Sequence, residues 1–473
     1  MTSAVDLKKI ETRLFINGEF VESSNGKTFD LISPKTLEVV AKVHEASEQD
    51  ADRAVAAAKA AQPAWAALSV EERAKPFKKL AALVRQHNAE LAELEALSMG
   101  HPVSTYFHAH AFASTFDHYS EAGYNNQGTS SLNTPGFVNL TFRQPFGVVA
   151  AIIPWNVPLL FFAGKCAPAL ITGNTVSARV ASLVNEAGFP PGVLNIITGF
   201  GNVSGSVLSH HRDVRALSFT GSTRTGRHIQ EAAAKSNLKV VMLELGGKSP
   251  AIIFEDADLE KAAEATQHSV QTNSGQTCMA NSRVYVQDTV ADKFIELFKT
   301  KFAPVSLGDP TASDVNHGPQ ADKVQHSNVL KYLEIAKKDG KVILGGTAND
   351  EKGYFINPTI FTGLPEDSQA MKEEIFGPVV NINIFKTEEE VLAKANNTEY
   401  GLYASVFTKN IDRAMRFAKG LEAGTVGVNV TSPVTARDTP FGGYKGSGIG
   451  REGFAHSMDN FLETKTVLIK LDS

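Results

Sequence analysis

Cysteine and tryptophan occur only twice each in the 473-residue chain, and neither sign of charge dominates, with 46 basic against 51 acidic residues. Each scarcity excludes something. Cys166 and Cys278 cannot build a disulfide framework, and sparse free thiols suit a reducing, cytoplasmic setting. A net charge of −5 provides no basic surface for nucleic acid or an anionic membrane. Apolar runs of membrane-spanning length are missing too: the most apolar stretch, 147–166, is interrupted by Pro154, Asn156, Pro158 and Lys165. The first ten residues lack the apolar core of a secretory leader and contain Asp6, which argues against an organelle transit segment. There are no internal repeats, charge blocks or long low-complexity linkers. What is present is an ordinary globular composition, 42% hydrophobic and 21% charged, in a chain long enough for two or three domains. A small molecule is the expected partner.

Residues 14–22 read as a hairpin around Asn17-Gly18. Ser47-Glu-Gln-Asp and Ser69-Val-Glu-Glu open two helical stretches within 47–98, and a further helix is expected over 104–121. Residues 123–136 form a polar connection, and 137–145 alternate like an exposed strand. Gly147-Val-Val-Ala-Ala-Ile-Ile is the opposite case, a continuous apolar run suited to a parallel strand covered on both faces, with a helix after it over 159–171. Strand and helix then alternate. Strands are expected at 193–199, 216–220, 239–245, 250–254, 282–286, 342–346 and 380–385; helices at 203–209, 227–234, 259–270, 290–302, 324–339, 387–396 and 411–421. That order predicts an α/β fold with doubly wound, mostly parallel sheets.

Two residues stand out chemically. Cys278 ends the small polar loop Asn273-Ser-Gly-Gln-Thr-Cys278, where a thiol stays approachable; as thiolate it attacks carbonyl carbon and leaves again from a thioester. Cys166, in an apolar helix, reads as a small packed hydrophobe. Glu244 ends an apolar strand before Gly246-Gly247, where burial would raise its pKa toward that of a general base; an ordinary surface acid is the alternative. His108 with His110, and His210 with His211, lack a third ligand at useful spacing and read as solvated helix and loop histidines, so no metal is expected. Thr198-Gly199-Phe-Gly201 misses the third glycine of the dinucleotide fingerprint.

Six segments occur in order: Pro154-Trp155-Asn156, Phe219-Thr-Gly-Ser-Thr-x-x-Gly226, Leu243-Glu-Leu-Gly-Gly-Lys248, Asn273-x-Gly-Gln-x-Cys278, Glu374-Ile-Phe-Gly-Pro378 and Pro440-Phe-Gly-Gly-Tyr-Lys-x-Ser-Gly-x-Gly-Arg-Glu452. Together, from about Phe15 to the carboxyl end, the chain resembles the NAD(P)-dependent aldehyde dehydrogenase superfamily. The resemblance implies two doubly wound parallel-sheet domains and a small β oligomerisation element. Residues 1–122 with 146–245 would bind the cofactor, 246–441 would be catalytic, and strands in 123–145 and 455–473 would join subunits into a homodimer or homotetramer. It implies Cys278 as the nucleophile, the Asn156 amide and the Cys278 backbone N–H as oxyanion donors, Glu244 as activator of the hydrolytic water, and Lys165 as an electrostatic aid. NAD, or else NADP, would be held by Ile152, Pro154, Trp155, Gly221, Ser222, Gly226, Leu245, Gly246, Glu374 and Phe376. Gly221 and Ser222 open a helix whose N-terminal amides suit the pyrophosphate, and Glu374 and Phe376 match positions at the nicotinamide ribose.

The pattern departs at two places. After Gly173-Asn-Thr-Val176 the family continues with a strand residue, a Lys-x-Ser-Glu segment and a helix beginning Pro-Leu-Ser, whereas this chain passes directly to Ser177-Ala-Arg-Val-Ala-Ser. The missing residues would contact the adenosine ribose and choose between NAD and NADP. Gly164 stands where many relatives carry Trp, implying a roomier substrate entrance, and Val157 and 431–437 are expected near the tunnel. The implied activity is oxidation of an aliphatic or aromatic aldehyde to its acid. Two other readings follow from the absent segment: a silent family member serving as a structural or binding subunit, and a thiol esterase without hydride transfer.

Overall fold

A computed structural model describes residues 10–177, 181–349, 352–432, 436, 438–454 and 456–471. The amino-terminal reading, the junction at 178–180, and most of the 431–437 tunnel reading lie outside these residues.

The first half is wound on Val148–Ile152, whose small and β-branched side chains are buried on both faces as the unbroken apolar run predicts. The sheet around it has six strands in the order Gly448–Ile449, Val240–Glu244, Val214–Thr220, Val148–Ile152, Thr175–Ser177 and Leu194–Asn195. All pair in parallel except the short Gly448–Ile449. Helices cover the sheet. Glu48–Ala67 and Val70–Gln86 each begin with a complete capping box, Ser47 with Asp50 and Ser69 with Glu72, which satisfies amides a helix start leaves bare.

After Glu244 the chain crosses through 245–249 into a seven-stranded sheet, ordered Lys341–Leu344, Thr359–Thr362, Val379–Phe385, Arg283–Gln287, Pro250–Ile253, Tyr403–Phe407 and Thr425–Val428. Only the first of these is antiparallel to its neighbour. The fold is therefore α/β with two mostly parallel sheets. A third, antiparallel sheet pairs Leu462–Lys470 along the whole of Phe137–Pro145, with Ser130–Ser131 on the far side.

Several boundaries differ from the sequence reading. The helix expected from 104 begins at His108, because Val103–Thr105 is a single 3-10 turn after Pro102. The strand expected over 193–199 is reduced to Leu194–Asn195, with Ile196 bridged to Phe15, and the helix expected from 203 starts as a π turn over Gly201–Gly205. The hairpin Thr28–Ile32 with Val39–His44, and the strands Thr359–Thr362, Tyr403–Phe407, Thr425–Val428 and Gly448–Ile449, had no expectation at all. All are short, and the four single strands pair with partners more distant in the chain, so no local periodicity marks those.

Candidate active site

The carboxyl ends of the strands in the six-stranded sheet form the platform, as in open α/β sheets generally. Phe219 pairs with Ile152 and Thr220 with Glu244, so Ile152, Thr220 and Glu244 end side by side. Pro154-Trp155-Asn156 leaves the first of these strands, and Gly221-Ser222 leaves the second. Ser222 accepts the amide of Thr225 and caps the Thr223–Lys235 helix. Gly226 lies so close to this edge that a Cβ there would be 2.8 Å from Leu245 Cδ2.

Gly246 and Gly247 explain how the second sheet reaches the same edge. A Cβ on Gly246 would stand 2.3 Å from Glu374 Oε2, and one on Gly247 would stand 2.2 Å from the Cys278 carbonyl oxygen. Glycine is the residue that lets both backbone segments touch. The Gly247 amide donates to Glu374 Oε1 at 3.0 Å, and burial pushes that carboxyl up to about 7. Phe376, at φ 59°, meets the exposed Trp155 edge-on with ring centroids 5.5 Å apart.

The Cys278 loop is unusual in its backbone. Asn273, Ser274 and Gly275 have φ of 52°, 54° and 78°, three consecutive left-handed residues of which only one is glycine. Buried hydrogen bonds stabilise this conformation. Asn273 Nδ2 donates to the Asn156 carbonyl at 3.0 Å, and Ser274 Oγ to the Gly318 carbonyl at 2.7 Å. Gln320 Nε2 donates to the Ser274 carbonyl at 3.0 Å, and Gln276 Oε1 accepts the Ala321 amide at 2.9 Å. Asn156 Nδ2 donates to the Gln276 carbonyl at 3.0 Å; an amide carries two N–H bonds, so one remains for another acceptor. Burial, then the charges of Glu374 and Glu244, push the Cys278 thiol up to about 12.

Glu244 is 5% exposed, which excludes the surface-acid reading. Burial, reinforced by Glu452, holds its carboxyl well above the usual range against the opposing pull of Lys165 and Arg451. Lys165 is buried and donates to Glu452 Oε1 at 2.7 Å and Ser218 Oγ at 3.0 Å. Cys166 packs in the core as expected. One expectation is corrected: His108 is not solvated but fully buried, with Nδ1 2.7 Å from Glu95 Oε2, because the Asn88–Met99 helix lies over it. Sequence reasoning also passed over His101, Ser218 and Gln320, whose polar side chains carried no motif; Gln276 and Glu452 lay inside motifs without a role.

Cys278, Glu244, Asn156 and Glu374 thus converge where two doubly wound sheets meet, which defines the class as an α/β protein with a thiol site at a sheet edge. The family model for the aldehyde dehydrogenase family matches residues 20–467. An aldehyde dehydrogenase of Alternaria alternata is 45% identical, with 97% of this chain and 95% of the relative aligned. The solved structure of a variant of the Bacillus cereus aldehyde dehydrogenase superposes with TM-score 0.95 at 41% identity, covering 98% of this chain and 97% of that one. An indole-3-acetaldehyde dehydrogenase variant of P. syringae, in complex with NAD+ and IAA, gives TM-score 0.95 at 37% identity over 98% and 97%. The chain belongs to the aldehyde dehydrogenase family. No helix among the described residues is long and apolar enough to cross a membrane.

Proposed function

We propose that this protein oxidises an aldehyde to its carboxylic acid through a covalent intermediate on Cys278, using NAD in preference to NADP. The observation that carries the reading is the approach of the Cys278 carbonyl to Gly247, which brings the thiol loop beside Glu244 and the free N–H of Asn156. Cys278, as thiolate, adds to the aldehyde carbon and gives a hemithioacetal. Asn156 and the Cys278 backbone N–H hold its oxyanion, donors aimed at charge that develops only during reaction. The dinucleotide, when bound, supplies the acceptor for the hydride that leaves this carbon. Glu244, as a carboxylate, takes a proton from water attacking the resulting thioester, and acid and thiol are released. Lys165, held by Glu452, is a positive charge near Glu244 that favours its ionised form.

The residues present fit the nicotinamide and pyrophosphate portions of a dinucleotide. Thr220 Oγ1 is buried without a partner at the strand end, Trp155 and Phe376 present ring edges and faces, and the Thr223–Lys235 helix offers its amino terminus after Gly221 and Ser222. Ile152, Pro154, Leu245, Gly246 and Glu374 complete that set. The adenosine side has less to offer. It is carried by the three-residue strand Thr175–Ser177, and the Lys-x-Ser-Glu segment is absent from the chain. A Cβ on Gly164 meets nothing within 4 Å, which supports a roomy entrance and a bulky aliphatic or aromatic aldehyde.

The antiparallel sheet leaves Phe142, Leu468 and Ile469 44–64% exposed, a surface that suits pairing with a second copy in a dimer or tetramer. A monomeric mass by light scattering would refute that part. A cytoplasmic location accords with the scarce free thiols. Incubation with aldehyde and either dinucleotide tests the whole: reduced nicotinamide accumulates, faster with NAD. Cleavage of p-nitrophenyl acetate with no aldehyde oxidation would favour the esterase reading, and neither activity in a folded protein would favour a silent subunit.

A further inference from the structure

The helix Asn88–Met99 stops at Gly100, whose φ of 81° turns the chain sharply and delivers His101 beneath the thiol loop. The packing there is close. A Cβ on Gly318 would lie 1.9 Å from the Gly100 carbonyl, and the Gly318 carbonyl in turn accepts the hydroxyl of Ser274. His101 is 1% exposed, and its Nδ1 lies 3.0 Å from Asn273 Oδ1. The direction of this bond is determined by the groups around it. Asn273 Nδ2 faces two carbonyls, those of Asn156 at 3.0 Å and Gln276 at 3.4 Å, so its oxygen must be the atom facing the ring. An amide oxygen only accepts, and Nδ1 of His101 must therefore carry the proton. Burial, together with the neighbouring His108, keeps the ring neutral by lowering its pKa to about 4, so this is its single N–H. The His101 ring packs against His108 with centroids 4.6 Å apart, and His108 is itself tied to the buried Glu95.

We infer that His101 is a positioning residue for the oxyanion donor: its Nδ1–H orients the Asn273 amide, which holds both the Asn156 backbone and the Gln276 carbonyl that the Asn156 side chain grips. His101 touches neither substrate nor thiol. It acts through one buried amide that bridges the two strands of the site, the loop from the second sheet and the Pro154–Asn156 turn from the first. The inference rests on the proposed role of Asn156, and its test separates the two.

The Nδ2 of an asparagine occupies the same branch position as histidine Nδ1, whereas a glutamine places its nitrogen one methylene further out. His101→Asn therefore keeps the donor, and His101→Leu and His101→Gln remove or displace it. The variants are compared with the unaltered protein for kcat and KM with aldehyde and dinucleotide, for p-nitrophenyl acetate cleavage without dinucleotide, and for thermal unfolding. Misplacing a reacting group by about an ångström costs roughly 100-fold in rate. His101→Leu and His101→Gln are expected to lower kcat and the esterase rate by about 10- to 100-fold with KM for aldehyde changed less than about threefold, and His101→Asn to recover most of the rate. Equal loss in Asn and Leu variants, in step with their unfolding temperatures, would make His101 a packing residue and overturn the inference; so would an unimpaired Leu variant. If the unaltered protein turns over neither substrate, the functional reading itself fails instead.

Discussion

The thiol loop at 273–278 and the short strand Thr175–Ser177 are built to different standards. Almost every polar group of the loop is tied: Asn273 by both ends of its amide, Ser274 and Gln276 by side chain and backbone, with partners inside the loop and from three other segments. That strand has only three residues, paired at three positions on one side and two on the other. Under the proposed function the contrast matches what each would do. Bond-making groups act only within a fraction of an ångström of their geometry, whereas cofactor affinity is a sum of contacts that declines by degrees as contacts are removed.

The comparison breaks first at the thiol. Cys278→Ala is expected to lower kcat on the order of 10⁴-fold or more while the unfolding temperature and dinucleotide affinity stay near those of the parent; retained aldehyde turnover would remove the centre of the site. Glu244→Gln comes next. Loss of a general base costs roughly 10²–10⁴-fold, and it should fall on acid release, so that rapid mixing reveals one burst of reduced nicotinamide followed by slow turnover. Absence of the burst would place Glu244 before the hydride step.

The other side of the comparison should respond more mildly. Restoring a Lys-x-Ser-Glu segment after Val176 is expected to tighten NAD, measured by calorimetry, by about 10- to 100-fold, the value of one charge-assisted hydrogen bond of ~1.5–3 kcal/mol. Nicotinamide mononucleotide should lose little affinity relative to NAD in the parent chain and much more in the restored one. Equal responses of both ligands would mean that the short strand already grips adenosine. The smallest effect is one of pH. With the Cys278 thiol pushed up to about 12, its thiolate fraction, and hence its alkylation by iodoacetamide in protein without added cofactor, should rise about tenfold per pH unit from 7 to 10. A plateau by pH 8 would show that the loop activates the thiol by itself.

Much of this molecule is legible along the chain. The capping boxes at Ser47 and Ser69, the Asn17-Gly18 turn and the buried run 148–152 are local signals, in which each residue's preference agrees with the element it joins. Cys278 and Glu244 were visible because a thiol in a polar loop and an acid on an apolar strand are each out of place for their surroundings. His108 was misread for the complementary reason. Its burial comes from a helix packed across it, and Glu95, which accepts from it, is one of three glutamates in that helix with no local mark of burial. Strands such as Tyr403–Phe407 escaped because their partners lie far away in sequence.

The sequence by itself determined the α/β alternation, the thiol in its polar loop and the membership implied by six ordered segments, since all of these depend on which residue types follow one another. Only the tertiary structure decided that Gly246 and Gly247 are where the two sheets touch, that Glu244 is buried and Lys165 paired with Glu452, and that His101 supports the loop from below. Those are properties of contacts between segments remote in the chain, where burial and the direction of a single N–H are set by neighbours that no local pattern names.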